Sequence, residues 1–252
     1  MTERSPIIRF ARAIERAAAR FQGKGYGTAT CRREIAAAVP HIPAENLVVF
    51  DVGANAGHYS REWFAQGGMS IKALYAFEPS THNHKSLEAI TDPRFHLIKK
   101  ALGKENGVFT LYSNAPGSGL ASLTKRNLSF KKGVEMNIEE QVEVTTLDTF
   151  LEKNKIPSVD FLKIDVEGHE YDVLQGAQQS IQSGKINAIA FEFGGTDIDT
   201  RVFFQDVWFF FQEHGFDLYR INPFFAPIKI TRYHVSLESF DISNFLAIRT
   251  KR

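Results

Sequence analysis

A strand, a glycine turn and a helix follow one another in the segment 47–60, and this arrangement constrains the fold more than any other feature of the chain. The segment reads LVVFDVGANAGHYS, in which four apolar residues precede Asp51. Such an apolar run is typical of a strand that is buried on both faces of a parallel sheet. In the turn, Gly53 and Gly57 let backbone N–H groups and the start of the helix come close to a polar ligand. The sequence therefore predicts a nucleotide-type binding site here.

The spacing of the turn narrows the class of ligand. It reads Asp-x-Gly-x-Asn-x-Gly, which matches neither the dinucleotide pattern Gly-x-Gly-x-x-Gly nor a phosphate loop with Gly-Lys-Ser/Thr. A nucleoside without a pyrophosphate fits better. Glu78 follows Gly57 by about 20 residues, at the end of the next expected strand, where a carboxylate can bind the hydroxyls of a ribose. A carboxylate that only caps the turn before Pro79 is the alternative, and we favour the ribose role.

The order of the expected elements predicts an α/β fold. Strand and helix patterns alternate from Leu47 onwards, and two late strands are expected at 216–221 and 244–248. This order favours a mostly parallel, doubly wound sheet with an antiparallel edge strand. A long loop at 113–137, rich in Gly, Ser, Lys and Asn, separates two expected antiparallel strands. Such loops often carry substrate contacts.

We expect residues 1–46 to form an N-terminal helical extension of a catalytic domain that occupies 47–252. The first 33 residues contain eight basic and two acidic side chains, and segment 6–21 has apolar residues at helical spacing. A basic amphipathic helix is therefore predicted. We favour a lid or docking helix with a solvated arginine face, while peripheral membrane contact through this helix or a targeting role is the alternative.

The overall composition excludes several classes of protein. The net charge is +1, from 30 basic and 29 acidic side chains, so no global field favours nucleic acid as a partner. The single cysteine, Cys31, excludes an internal disulfide and a multi-cysteine zinc site, which fits a reducing, cytoplasmic compartment. No run approaches the ~18 apolar residues of a membrane span. The aromatic residues between Phe203 and Phe225 are expected mainly in the core, with stacking on a sugar or a homodimer contact as the alternatives.

Four acids stand at the carboxyl ends of expected strands, where ligands bind in open α/β sheets. These acids are Asp51, Glu78, Asp165 and Glu192. Lys163 lies two positions before Asp165, on the same side of the strand, and is expected to pair with an acid. Oxygen ligands near Asp165, Glu167 and Glu192 could hold a divalent metal, but nothing in the sequence requires one.

Six motifs occur in order between residues 47 and 195: DVGANAGHYS, YAFEPS, ALGKENG, TLDTFL, FLKIDVEGHEYDVLQGA and AFEF. In order and spacing they resemble the FkbM-type methyltransferases, which use S-adenosylmethionine. The resemblance implies a Rossmann-like class I methyltransferase fold with a seven-stranded sheet. It also implies methyl transfer to an oxygen, commonly a sugar hydroxyl of a glycan or of a glycosylated metabolite, so that the partner is a small-molecule or glycan acceptor.

The resemblance also implies roles for individual residues. Glu78 would hold the ribose, Ala101 would lie beside adenine, and Asp165 would face the methionine amino group or the acceptor. The residues implied around the methionine part of the cofactor are Asp51, Gly53, Ala54, Asn55 and Gly57.

The chemistry required of the protein is limited, because S-adenosylmethionine is an activated donor and alignment of the acceptor supplies much of the rate. A general base is needed to take the hydroxyl proton. The candidates are Asp165, Glu167 and His169, with His58 less favoured. An imidazole suits a base near neutral pH.

The neighbouring acids Glu170 and Asp172 are expected to have a structural role, because acids at the start of a helix are favoured by the macrodipole whatever the function.

Two other functions are compatible with the same topology. One is a nicotinamide-dependent oxidoreductase, against which the missing third glycine counts. The other is a non-catalytic module that binds a cofactor or a partner through the aromatic segment and the basic N-terminus.

Overall fold

The computed structural model describes residues 5–27, 30–66 and 70–250. The helices in these ranges are α1 (Pro6–Phe21), α2 (Cys31–Ala38), α3 (His58–Ala65), α4 (Thr81–Glu88), α5 (Leu147–Lys153), α6 (Glu170–Gln175), α7 (Gln178–Gln182), α8 (Asp197–Thr200) and α9 (Phe204–Glu213). The strands are β1 (Leu47–Val52), β2 (Ile71–Phe77), β3 (Phe95–Ile98), β4 (Ala101–Leu102), β5 (Gly107–Ser113), β6 (Ile138–Thr145), β7 (Val159–Ile164), β8 (Ile186–Phe193), β9 (Phe216–Arg220), β10 (Ile228–Ile230) and β11 (Ser243–Arg249).

The central sheet has the strand order β10-β9-β11-β8-β7-β1-β2-β3. Strands β3, β2, β1, β7 and β8 pair in parallel, whereas β11, β9 and β10 pair antiparallel at one edge. The predicted α/β class and mostly parallel sheet are confirmed. The sheet has eight described strands instead of the expected seven, because the chain turns back after β9 and Ile228–Ile230 pair along it.

Two apolar layers cover the faces of this sheet. One contains residues of α5, α6, α7 and α9, and the other contains residues of α2, α3 and α4. Strands β1 and β7 are buried along their whole length, as the apolar run of β1 predicts. Phe204 and Phe211 are fully buried, so the aromatic segment contributes to the core as expected, although Phe203, Phe224 and Phe225 are exposed.

The expected antiparallel pair formed by β5 and β6 is present, but it belongs to a separate three-stranded sheet with β4. The loop that follows β5 returns towards the central sheet, where Ser122 Oγ donates to the backbone oxygen of Glu167 at 2.8 Å. This contact brings the predicted substrate loop to the carboxyl ends of the parallel strands.

The N-terminal segment contains two helices with different surroundings. Helix α1 has no buried residue, whereas Ile35 and Ala38 of α2 are fully buried in the same apolar layer as β1. Residue Tyr26 forms a parallel bridge to Ser243 of β11. Helix α2 therefore shares the core of the sheet domain, while α1 lies outside it. Among the described ranges, no helix is both long and apolar enough to cross a bilayer.

Candidate active site

A cavity of about 340 Å³ lies at the carboxyl ends of β1, β2, β7 and β8. The predicted site residues that line it are Gly53, Asn55, Glu78, Ala101, Asp165, Glu167 and His169. The loop after β5 forms another wall through residues 118–121 and Leu123. A larger groove, of about 1120 Å³, lies at the opposite end of the sheet beside Asn187, Asp217 and Ile248 and contains none of these residues among those described.

A second cavity, of about 190 Å³, adjoins the first, and the two share Gly27, Gly53, Asn55 and Asp165 as lining residues. The predicted site residues Asp51 and Ala54, and also His58, line this smaller cavity. The turn after β1 thus stands between two adjoining cavities. The structure brings the predicted residues together there, apart from Gly57, which lines neither cavity.

Gly53 makes the close approach of β1 and β7 possible. Its φ is +81°, and a Cβ at this position would lie 1.8 Å from the backbone oxygen of Asp165. The backbone N–H groups of Gly53 and Ala54 both donate to Phe77 O at 3.0 Å. Any side chain at position 53 would therefore push the end of β7 away from the turn.

Gly57 has a packing role instead of a cavity-lining one. It precedes α3 with a φ of +81°, and a Cβ would lie 2.8 Å from Leu87 Cδ2. Asn55 also has a positive φ, of 46°, and its Nδ2 donates to Gly117 O of the substrate loop at 3.3 Å. The two residues thus hold α4 and the loop against the turn.

Glu78 is 5% exposed and holds the turn through both carboxylate oxygens. Oε2 accepts from Asn55 N at 2.7 Å, whereas Oε1 accepts from Ser80 N at 2.9 Å and from Asn83 Nδ2 at 3.2 Å. Burial raises its pKa, although these hydrogen bonds oppose the rise. The capping role before Pro79 is therefore present. An ionised carboxylate has about two acceptor sites on each oxygen, so Oε2, which accepts from Asn55 N alone, retains capacity to accept from a ligand.

Asp51 is almost fully buried in the smaller cavity. Ser60 Oγ of α3 donates to its Oδ2 at 2.6 Å. Burial raises the pKa of Asp51 to about 6, an effect that the Ser60 hydrogen bond and the nearby Lys163 charge reduce.

Lys163 pairs with two acids, as its position in β7 predicts. Its Nζ lies 3.6 Å from Asp165 Oδ2 and 3.6 Å from Oε2 of Glu34, a residue of α2. Burial lowers the pKa of Lys163, but the facing carboxylates more than offset this effect, so that its pKa is raised. The side chain of Asp165 remains 44% exposed and faces both cavities.

His169 is held at both ring nitrogens. Nδ1 lies 2.7 Å from Asp172 Oδ2, and Nε2 lies 3.0 Å from Thr124 Oγ1. A carboxylate accepts, so we assign the proton to Nδ1 and leave Nε2 as the acceptor towards the cavity. Asp172 therefore does more than complement the helix dipole, because it orients the candidate base.

Glu167 occupies a left-handed turn with a φ of 55° and forms an ion pair with Arg126, whose Nη1 lies 2.7 Å from Oε2. Arg126 Nε also lies 3.3 Å from Asp199 Oδ2. Burial and the charge of Asp165 raise the pKa of Glu167 to about 7, and Arg126 opposes this rise. The neighbouring Glu170 accepts from two backbone N–H groups and so stabilises the same turn.

Glu192 lines the larger cavity together with the acids Glu78, Asp165 and Glu167. Burial, together with the charge of Asp165, raises its pKa to about 9. Within residues 5–27, 30–66 and 70–250, no donor forms a hydrogen bond to its carboxylate. Burial therefore favours the protonated form of this group, which can itself donate a hydrogen bond to a ligand.

Three buried polar atoms around the smaller cavity have no hydrogen-bond partner among the described residues. They are Glu34 Oε2, Tyr59 Oη and Asn244 Oδ1. Buried polar groups are normally paired, so such atoms indicate a missing polar ligand or water. The smaller cavity contains carboxylates, the Tyr59 phenol and the Lys163 ammonium. It therefore offers negative groups to an ammonium and a positive group to a carboxylate, as a zwitterionic amino-acid group requires. Among the same residues, no cluster of three or more His, Cys, Asp or Glu side chains is arranged to hold a metal.

Sequence reasoning did not identify Glu34, Thr124, Arg126 or the orienting role of Asp172. Glu34 belongs to the N-terminal segment, whereas Thr124 and Arg126 belong to the substrate loop. All three lie far along the chain from the strand ends that form the site. The expected substrate contacts of the loop were the only signal for Thr124 and Arg126. The spacing of His169 and Asp172, which places both on one side of a helical turn, was a usable signal for their pairing.

The chain matches the family model described as the Methyltransferase FkbM domain over residues 51–218. It is 28% identical over 145 residues to the 2-O-methyltransferase NoeI of Sinorhizobium fredii, which covers 53% of this chain and 58% of that protein. It is 29% identical over 143 residues to the hexuronic acid methyltransferase AglP of Haloferax volcanii, which covers 55% of this chain and 53% of that protein. The matched region thus spans a little over half the length of each curated relative.

Among solved structures, the chain is similar to an FkbM methyltransferase from Methylobacillus flagellatus, with a TM-score of 0.48 and 14% sequence identity. The similarity covers 95% of this chain and 59% of that chain.

Proposed function

The chain belongs to the FkbM methyltransferase family, and on this premise we propose that it transfers a methyl group from S-adenosylmethionine to a hydroxyl oxygen of a sugar. The observation that carries the proposal is the pair of adjoining cavities at the turn after β1. The turn and Glu78 form one side of the larger cavity, and the segment from Asp165 to His169 forms another.

The residues present fit the donor. The buried Glu78 carboxylate and the apolar Ala101 and Leu102 line the larger cavity, as a ribose and an adenine ring would require. Glu34, Tyr59 and Asn244 line the smaller one, and the amino-acid part of the donor would supply hydrogen bonds to their buried polar atoms that have none within the described residues. Gly53, Ala54 and Asn55 would hold the donor where the two cavities meet. When bound, S-adenosylmethionine supplies an activated methyl group for in-line displacement.

On the acceptor side, His169 is the favoured general base. Its Nδ1 is engaged by Asp172, so that Nε2 is the nitrogen that can take a hydroxyl proton. Thr124, which occupies Nε2 in this structure, would turn its hydroxyl away or be displaced by the acceptor. Asp165 would orient the acceptor or the donor ammonium, because its carboxylate faces both cavities.

Glu167 and Glu192, whose pKa values are raised, would assist recognition more than proton removal. Glu167 forms an ion pair with Arg126, whereas burial favours the protonated form of Glu192, which would donate to a sugar oxygen. An acceptor with several hydroxyl groups matches a wall that contains both carboxylate acceptors and a carboxylic-acid donor. The names of the relatives NoeI and AglP agree with O-methylation and with a hexuronic acid as acceptor, respectively.

Titration calorimetry with S-adenosylhomocysteine tests the donor half. Wild-type protein should bind it, and Glu78→Gln should weaken binding at least about tenfold, since a charge-assisted hydrogen bond to the ribose contributes ~1.5–3 kcal/mol. Glu88→Gln is the matched control, because Glu88 is an exposed glutamate that pairs only with Lys99 in the described structure. Absence of binding by the wild type would reject the donor assignment.

Transfer of a labelled methyl group from S-adenosylmethionine tests the acceptor half. Extracted glycans, lipids and small metabolites are the acceptors to screen, and label is expected in the carbohydrate fraction. The His169→Gln variant should still bind S-adenosylhomocysteine but transfer label ~100-fold more slowly. Label found in protein or RNA would overturn the sugar assignment while leaving the donor assignment intact.

A further inference from the structure

Helix α1 presents an apolar face to solvent. The exposed fractions of Ile7, Phe10, Ile14 and Phe21 lie between 56% and 69%, and no residue of the helix is buried. Their spacing of three, four and seven residues places these side chains on one stripe of the helix. The C-terminal end of this stripe contacts two further aromatic side chains.

That contact extends the apolar stripe into an aromatic cluster. The ring of Phe21 stacks on Phe224 at 5.0 Å and lies 6.1 Å from Phe225, and the latter two side chains are 51% and 58% exposed. Asn222 Nδ2 fixes this arrangement by donating to Phe21 O at 2.6 Å. We call the six apolar side chains the N-terminal patch; its members are Ile7, Phe10, Ile14, Phe21, Phe224 and Phe225.

Positive charge accompanies this patch. The helix contains four arginines, Arg9, Arg12, Arg16 and Arg20, and a single acid, Glu15. The arginines lie on the face opposite the apolar stripe, and their long side chains can extend towards either flank. Next to the aromatic cluster, Arg33 Nη1 donates to Asn222 O at 3.1 Å. An apolar stripe that is combined with basic side chains and exposed phenylalanines is characteristic of helices that lie in a membrane interface.

We propose that the N-terminal patch docks on the surface of a bilayer that contains anionic lipid. A bilayer surface offers acyl chains to the phenylalanines and negative headgroups to the arginines at the same time. A second copy of the chain would bring two arginine-rich helices together, and nucleic acid would leave the apolar stripe in water. The helix is 16 residues long, so it lies along the surface instead of crossing it.

The docked patch would lie close to the candidate active site. Gly27 lines both cavities and follows Phe21 by six residues, a length of chain that spans at most about 20 Å. A bilayer bound at the patch therefore lies near the cavities. The docking itself does not depend on which reaction takes place there.

Flotation of the full-length protein with vesicles tests the proposal. Binding is expected to vesicles of phosphatidylglycerol and phosphatidylcholine in equal parts, and only weak binding to pure phosphatidylcholine. The double variant Phe10→Ser/Ile14→Ser should bind at least about tenfold more weakly, because two apolar side chains no longer insert. Arg16→Gln/Arg20→Gln should weaken binding about fivefold for each arginine and reduce its salt dependence.

Phe130→Ser is the matched control, since Phe130 is 77% exposed but lies outside the patch. This variant should bind vesicles like the wild type, and all variants should retain wild-type binding of S-adenosylhomocysteine. Equal binding of wild type and Phe10→Ser/Ile14→Ser would overturn the proposal. A second result would also overturn the proposal: the wild type does not bind vesicles, and light scattering shows that it is a dimer which the double variant dissociates. The patch would then be covered by a second copy of the chain.

Discussion

Glu34 Oε2 lies 3.6 Å from Lys163 Nζ, so an acid of helix α2 faces a cation of strand β7 at the floor of the site. Both side chains are almost fully buried, at 2% and 4% exposed. The same glutamate oxygen lacks a hydrogen-bond partner among the described residues. The N-terminal segment therefore contributes directly to the smaller cavity, through a charge that the core must accommodate.

Replacement of Glu34 by Gln should destabilise the fold by about 3 kcal/mol, because removal of one partner leaves a buried charge that is less well compensated. Asp165 still faces Lys163 and limits the loss. Urea unfolding measures the change. Glu62→Gln is the control, since Glu62 pairs with the exposed Arg32 and should cost less than about 1 kcal/mol. Equal losses of unfolding free energy in the two variants would contradict a buried ion pair between Glu34 and Lys163.

Gly53→Ala should cost about 3 kcal/mol and weaken binding of S-adenosylhomocysteine. The new Cβ would lie 1.8 Å from Asp165 O, so the ends of β1 and β7 must separate. Gly133→Ala measures the cost of a positive φ without a steric contact, because Gly133 also has a positive φ but no described atom lies within 4 Å of the added Cβ. That control should lose about 1 kcal/mol. If Gly53→Ala lost no more stability than Gly133→Ala, the backbone around Asp165 would have moved to accommodate the new Cβ, and the close contact would not be a constraint.

Asp172→Asn should slow methyl transfer about tenfold to a hundredfold without changing the binding of S-adenosylhomocysteine. The amide no longer selects the ring orientation and tautomer that leave His169 Nε2 free to accept a proton. The acceptor found by the labelling screen provides the assay. In a His169→Gln background the same substitution should have almost no further effect, because Asp172 acts through His169. Additive losses would assign Asp172 a separate role.

The stability of the protein should fall as the pH rises from about 5 to 9. Burial raises the pKa of Glu192 to about 9, whereas an unfolded glutamate titrates near ~4.3. Between these values the native state binds more protons than the unfolded state, so the free energy of unfolding decreases as the pH rises.

Urea unfolding at several pH values checks this expectation. Glu192→Gln should have a shallower decline than the wild type, because its side chain is neutral at every pH. Glu88→Gln, at an exposed site, should keep the wild-type slope. A wild-type slope in Glu192→Gln would assign the pH dependence to other buried acids, of which Asp197, with a pKa raised by burial to about 8, is the next candidate.

The strand, turn and helix at residues 47–60 were predictable because their signals are local. An apolar run specifies a buried strand, and the positive φ of Gly53 and Gly57 requires residues without a side chain. Parallel strands align their carboxyl ends, so the position of Asp165 near this turn also followed from the sequence. The eighth strand did not, because the three residues of β10 carry no pattern of their own and depend on β9 for pairing.

The partners of the site residues depend on contacts between distant segments. Arg126 reaches Glu167, Thr124 reaches His169 and Glu34 reaches Lys163 only after the loop and α2 have packed on the sheet. Burial then raises the pKa of Glu192, a property that its position at a strand end does not reveal.

The sequence by itself determined the α/β fold, the glycine turn after β1 and the family, because these depend on periodicity, glycine geometry and the spacing of motifs. Only the tertiary structure decided that Asp172 orients His169, that α2 closes the smaller cavity and that the apolar face of α1 remains exposed. The physical reason is that hydrogen-bond partners, burial and proton affinity are set by neighbours in space, and neighbours far apart along the chain leave no local pattern.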